Sequence, residues 1–70
     1  MNPVIEWVTW KPFDEYERCD RLFVDDRLMA TVTYMRGVWK AHVENGTFAC
    51  FKTHEAAIKF CEDNDGVTTG

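Results

Sequence analysis

The sequence predicts an α+β fold: an antiparallel β-sheet of three to five strands, packed on one face by a single C-terminal helix, in the order β-β-β-β-β-α. Three observations carry this. Side chains alternate with a period of two from Leu28 to Met35, as in a strand with two unlike faces. Asn45-Gly46 stands between two runs rich in apolar and aromatic residues, the strongest short-range hairpin signal in the chain. Behind Thr53, the spacing of Ala56, Ala57, Phe60 and Cys61 gives one apolar stripe of a helix.

The 70 residues make one domain, 1–70, with flexible ends expected at 1–3 and 65–70. A core this small depends on large apolar side chains, and three Trp and five Phe supply them. The margin stays narrow at this size, which makes a homodimer an expected partner state.

Val4 to Trp10 reads as a short strand, with Ile5, Trp7 and Thr9 on one side and Val8 and Trp10 on the other. Lys11-Pro12 closes it, because proline has no N–H for a ladder. Phe13 to Asp20 mixes acids with Phe13 and Tyr16 and fits either one amphipathic turn or an irregular loop. Leu22 to Val24 is the next strand, and Asp25-Asp26 the bend after it. In the long run that follows, Leu28, Ala30, Val32 and Tyr34 share the core face, and Met29, Thr31, Thr33 and Met35 the other. Gly37 ends this run and Val38 begins the next strand.

A two-residue turn at Asn45-Gly46 pairs Val43 with Phe48 and Ala41 with Cys50. That register puts Trp39, Ala41, Val43, Phe48 and Cys50 in the core, and Val38, Lys40, His42, Glu44, Thr47, Ala49 and Phe51 outside. The helix is expected from about His54 to Asp63, with Thr53 as N-cap and Glu55 complementing the helix dipole in the first turn. Asn64-Asp65-Gly66 ends it.

Cys19, Cys50 and Cys61 are odd in number and lack framework or close-pair spacing, so neither disulfides nor a zinc site is expected, and a reducing cytoplasmic location fits. The chain shows no signal-peptide pattern and no apolar stretch of the ~18 residues a membrane helix needs. His42 reads as a solvated surface histidine, and no cysteine is expected exposed beside His54, so no nucleophile–base pair emerges. Asp25-Asp26 is a turn and Glu62-Asp63 a helix end rather than a catalytic carboxylate pair. There is no Gly-rich phosphate loop. The sequence therefore points to no enzyme, no metal and no cofactor.

What remains is recognition by a surface. The expected contact residues are Trp10, Phe13 and Tyr16 near the acidic segment, with Met29, Thr31, Thr33, Met35, His42 and Phe51 on the outward sheet face. Scattered apolar groups on an open sheet face mark an interface or are simply singly exposed. The formal charge of −4 weighs against general nucleic-acid affinity, which rests on Lys and Arg at phosphates.

Two resemblances follow from the residues. The run Arg36-Gly37-Val38-Trp39-Lys40-Ala41-His42-Val43, then Gly46, Phe51-Lys52-Thr53 and Glu55-Ala56-Ala57, resembles the plant ethylene-response-type DNA-binding domain and related integrase arm-binding domains. In those domains the sheet enters the major groove. The resemblance implies a nucleic-acid role for Arg36, Trp39 and Lys40, with Arg27 and Lys52 at the margins. Leu28-Met29-Ala30-Thr31-Val32, Gly37 to Val43 and Phe51 to Ala57 together are similar to short accessory proteins of bacteriophages and prophages. This second resemblance spans more of the chain. It implies a small acidic regulatory protein, an inhibitor or modulator that binds a host protein. Protein binding is the preferred expectation, and DNA binding through the sheet the alternative.

Overall fold

The computed structural model describes residues 3–10 and 17–64, with Trp10 described by its backbone alone. The fold is α+β: a five-stranded antiparallel sheet in the simple meander order β1-β2-β3-β4-β5, with one helix packed against it. The strands are β1 (Ile5–Trp10), β2 (Arg18–Val24), β3 (Arg27–Met35), β4 (Val38–Val43) and β5 (Phe48–Phe51), and the helix is α1 (His54–Asn64). Phe13, Tyr16 and the chain ends 1–2 and 65–70 lie outside the described residues.

Each β-turn shows why its residues were needed. Asp25 and Asp26 both have positive φ (51° and 67°), as does the Arg36-Gly37 pair (51° and 80°). These are the primed hairpin turns whose twist matches the flanking strands. Asp25 also anchors the start of β1: its Oδ1 accepts from the Val4 N–H at 2.9 Å, and its own N–H donates to the Val4 carbonyl at 2.8 Å.

The β4–β5 hairpin corrects the sequence reading. Only Gly46 of Asn45-Gly46 has positive φ (97°), and Val43 N–H donates to Thr47 O, so the loop holds Glu44, Asn45 and Gly46. One added residue shifts the register by one, and a one-residue slip turns every side chain to the other face. Trp39 therefore pairs with Phe51, Ala41 with Ala49 and His42 with Phe48. Phe51 packs inward against Phe60 (centroids 5.3 Å apart), while Phe48 and Cys50, expected in the core, stand exposed.

A second correction concerns β3. Leu22 pairs with Ala30 but Phe23 with Leu28, so Met29 is an extra residue at a β-bulge. Met29 packs partly against the core instead of pointing away, and Leu28 is exposed instead of buried.

The core lies between the sheet and α1. Leu22, Val24, Ala30, Val32, Ala41 and Val43 from the strands meet Ala57 and Cys61 from the helix. Small residues at Ala30, Ala41 and Ala57 let the helix approach closely, with Trp7, Trp39, Phe51 and Phe60 filling the periphery. Thr53 caps the helix, its Oγ1 accepting from Ala56 N–H at 3.2 Å. At the other end Asn45 Nδ2 donates to the Asn64 carbonyl (3.1 Å), tying the hairpin to the last helical turn.

Candidate functional site

The helix covers one face of the sheet, and among the described residues no element covers the other. The register places Val8, Arg21, Thr31, His42 and Phe48 in one row across all five strands of that open face. The neighbouring row holds Cys19, Thr33, Lys40 and Cys50, and Met35 pairs with Val38 beyond it. Phe48 is 57% exposed and Val38 40%, and the Phe48 ring meets His42 edge-on with centroids 6.1 Å apart. Beside His42, an open groove of about 520 Å³ is lined by Arg27, Leu28, Met29, Thr31 and Glu44.

Thr31, Thr33, Met35 and His42 thus lie where the sequence placed them. Phe51 belongs to the helix side, and Phe48, read as core, takes the outward position. Trp10 ends β1, its side chain outside the described residues.

The five basic and aromatic residues of the nucleic-acid reading do not share a surface. Arg27 pairs with Glu44 (3.4 Å) next to the Asp25-Asp26 turn. Arg36 sits at the other end of β3, roughly 30 Å away at about 3.3 Å per residue. Trp39 is on the helix side, stacked between Tyr34 (4.3 Å) and His54 (4.6 Å). Lys40 is on the open face, and Lys52 follows the end of β5.

The helix side holds a polar knot that the sequence did not disclose. Asp20, read as part of an acidic loop, lies in β2 and is only 2% exposed. Its Oδ1 accepts from Thr9 Oγ1 (2.8 Å) and Arg18 Nε (3.1 Å), and its Oδ2 pairs with His54 Nε2 (2.7 Å). Burial pushes the Asp20 carboxyl upward, but its hydrogen bonds to Thr9, Arg18 and His54, with the Arg18 charge, outweigh burial and hold it below its ordinary value. The Arg18 guanidinium also sits over the Trp39 ring, 6.0 Å from its centroid.

This knot joins β1, β2 and the first residue of α1 through one carboxylate. A carboxylate and an imidazole in contact are also the orienting half of a nucleophilic site. Cys61, the helix cysteine, is instead buried in the core, and among the described residues no buried side-chain N or O lacks a hydrogen-bond partner. The arrangement braces the fold. Among the described residues, no group of three or more His, Cys, Asp or Glu is placed to hold a metal ion. No described helix is long and apolar enough to cross a membrane. Compared with protein-family models, with curated proteins and with solved structures, the chain matches none.

Proposed function

We propose that this chain is a non-enzymatic accessory or regulatory protein that binds another protein through the open face of its sheet. The observation that carries the reading is the make-up of that face around Phe48. An exposed phenylalanine, edge-on to His42, stands beside an open groove, with Val38, Met35 and two threonines completing the surface. Aromatic and aliphatic anchors at the centre with polar and charged groups around them, here Arg21, Lys40 and the Arg27–Glu44 pair, are the arrangement of a protein interface. Folding does not require Phe48 there, since Phe51 already fills the helix side of the same strand. The resemblance to short bacteriophage proteins supports the same reading, with a cytoplasmic host protein as target.

The test compares the proteins captured from cell extract by the wild type and by a Phe48→Ser, Val38→Ser double variant, both checked for folding by circular dichroism. A partner held by the wild type and lost from the variant is the expected result. Equal capture by both overturns the assignment of this face, and capture of nothing by the wild type overturns protein binding in that extract.

A further inference from the structure

The open face carries a charge that the fold leaves unanswered. Of the sheet's cations, Arg18 is paired with Asp20 and Arg27 with Glu44, whereas among the described residues Lys40 has no such pair. Its cross-strand neighbours are Thr33 and Cys50, and it is half-buried between them. Its stem is covered by the sheet, and its ammonium is left to water. Arg21 stands diagonally across β3, opposite Thr31. Two strand spacings and one two-residue step set the Arg21 and Lys40 Cα atoms roughly 12 Å apart, with Thr31 and Thr33 between them. The only acid that the strands turn to this face is Glu6, three strands from Lys40. A chain of net charge −4 therefore shows two full cations to one acid here.

We propose that the partner segment docked on this face is acidic. It sets an aromatic or aliphatic side chain against Phe48 and the groove beside His42, and carboxylates over Thr31 and Thr33, between Arg21 and Lys40. The inference rests on protein binding through this face and names the chemistry of what binds.

Desolvation selects that chemistry. Lys40 lies between Val38 and His42 along β4 and diagonal to Phe48 on β5, so a partner packed on Val38 and Phe48 covers Lys40 as well. An ammonium taken from water is costly to bury unless an opposite charge meets it. A neutral apolar partner leaves it unmet, while a carboxylate there pairs with it and accepts from the threonine hydroxyls. At physiological salt, charges beyond about 8 Å are largely screened, so the acids gathered near Asn45 do not oppose one held at Lys40. A second copy fits less well, because a two-fold axis returns the same two cations and the single Glu6 to this face. Duplex DNA draws on a longer run of cations than two.

The experiment is selection of short random peptides on immobilised wild type, followed by fluorescence anisotropy of the enriched peptides. They are expected to join one aromatic or aliphatic anchor to two or more Asp or Glu. Their binding should weaken about threefold or more between about 50 and 200 mM salt. Lys40→Gln, checked for folding by circular dichroism, should weaken binding about two- to fivefold, and Lys40→Arg should bind as the wild type does. Phe48→Ser, Val38→Ser should abolish it. Neutral or basic peptides that are lost with this double variant overturn the acidic partner and leave binding at the face standing. Peptides that bind the double variant as they bind the wild type overturn both. Acidic peptides indifferent to Lys40→Gln overturn the proposal. So does a selection that enriches nothing, and a wild-type dimer that the double variant disperses in sedimentation then assigns the face to a second copy.

Discussion

Asp20 concentrates more consequence than any other single residue described. A buried carboxylate with its partners in place is tolerable, but removing one side of such a set leaves uncompensated polar groups behind. Asp20→Ala strands Thr9, Arg18 and His54 together, and is expected to cost about 3 kcal/mol or more. A domain of this size has a total stability of only about 4–10 kcal/mol. Chemical denaturation at neutral pH measures the loss. The pH dependence has a definite sign. The folded Asp20 carboxyl sits below its ordinary value of 3.8, so its contribution is fully present above that value and is lost as pH falls through the lower folded one. Asp20→Asn should flatten stability against pH in that acid window while lowering it at neutral pH. A wild type and Asp20→Asn with parallel pH profiles would show that the carboxylate is not what the acid limb titrates. Nothing in the sequence marks Asp20 off from Asp14, Glu15 or Glu17. The burial of Asp20 is a tertiary fact, fixed by Thr9 across the β1–β2 pairing and by His54 far along the chain.

At the scale of elements, the two tightest hairpins and the β4–β5 hairpin test different things. In the β2–β3 turn Asp25 serves a purpose, through Val4, but Asp26 has positive φ (67°) and no comparable anchor among the bonds described. Asp26→Gly relieves the left-handed backbone and should raise stability by about 0.5–1 kcal/mol, seen as a higher melting temperature. The β4–β5 hairpin decides the faces of β5. Phe51→Ala removes a ring packed on Phe60 and is expected to cost about 2 kcal/mol, less than the ~3–5 of a fully buried ring. Phe48→Ala should change stability by no more than about 0.5 kcal/mol. The reverse ranking in denaturant titrations would restore the two-residue turn. The elements themselves were legible because alternation in β3, the Thr53 cap and the apolar stripe of α1 are local signals. Register was not. Asn-Gly serves a two-residue turn with both residues at positive φ and a three-residue loop with Gly alone there, and the choice rests on packing against Phe60. The bulge at Met29 escaped for the same reason, since an extra residue inside an alternating run leaves the run looking unbroken.

For the whole molecule, the distribution of charge decides what kind of partner fits. The meander and the helix bring Asp25, Asp26, Glu44, Glu62 and Asp63 toward the end where Asn45 meets Asn64, with Arg27 already engaged by Glu44. Arg18, Arg36 and Lys52 lie toward the opposite end, where Glu17 Oε2 accepts from the Arg36 backbone N–H and Glu55 sits in the first helical turn. A groove-binding sheet needs several cations on one face to displace counterions, and each phosphate neutralised steepens the salt dependence by about 0.9 in log–log slope. The row around Lys40 offers Thr33 and Cys50 as its nearest cross-strand neighbours instead. Fluorescence anisotropy with duplex DNA is therefore expected to show no binding at micromolar protein, even at about 50 mM salt where counterion release favours it most. Micromolar binding that weakens steeply by about 200 mM would mean that enough cations converge on one surface to overcome the net charge of −4. Lys40→Glu would then separate the two readings of the open face. It should abolish DNA binding if the sheet enters a groove, while capture of a protein partner around Phe48 tracks the Phe48→Ser, Val38→Ser variant.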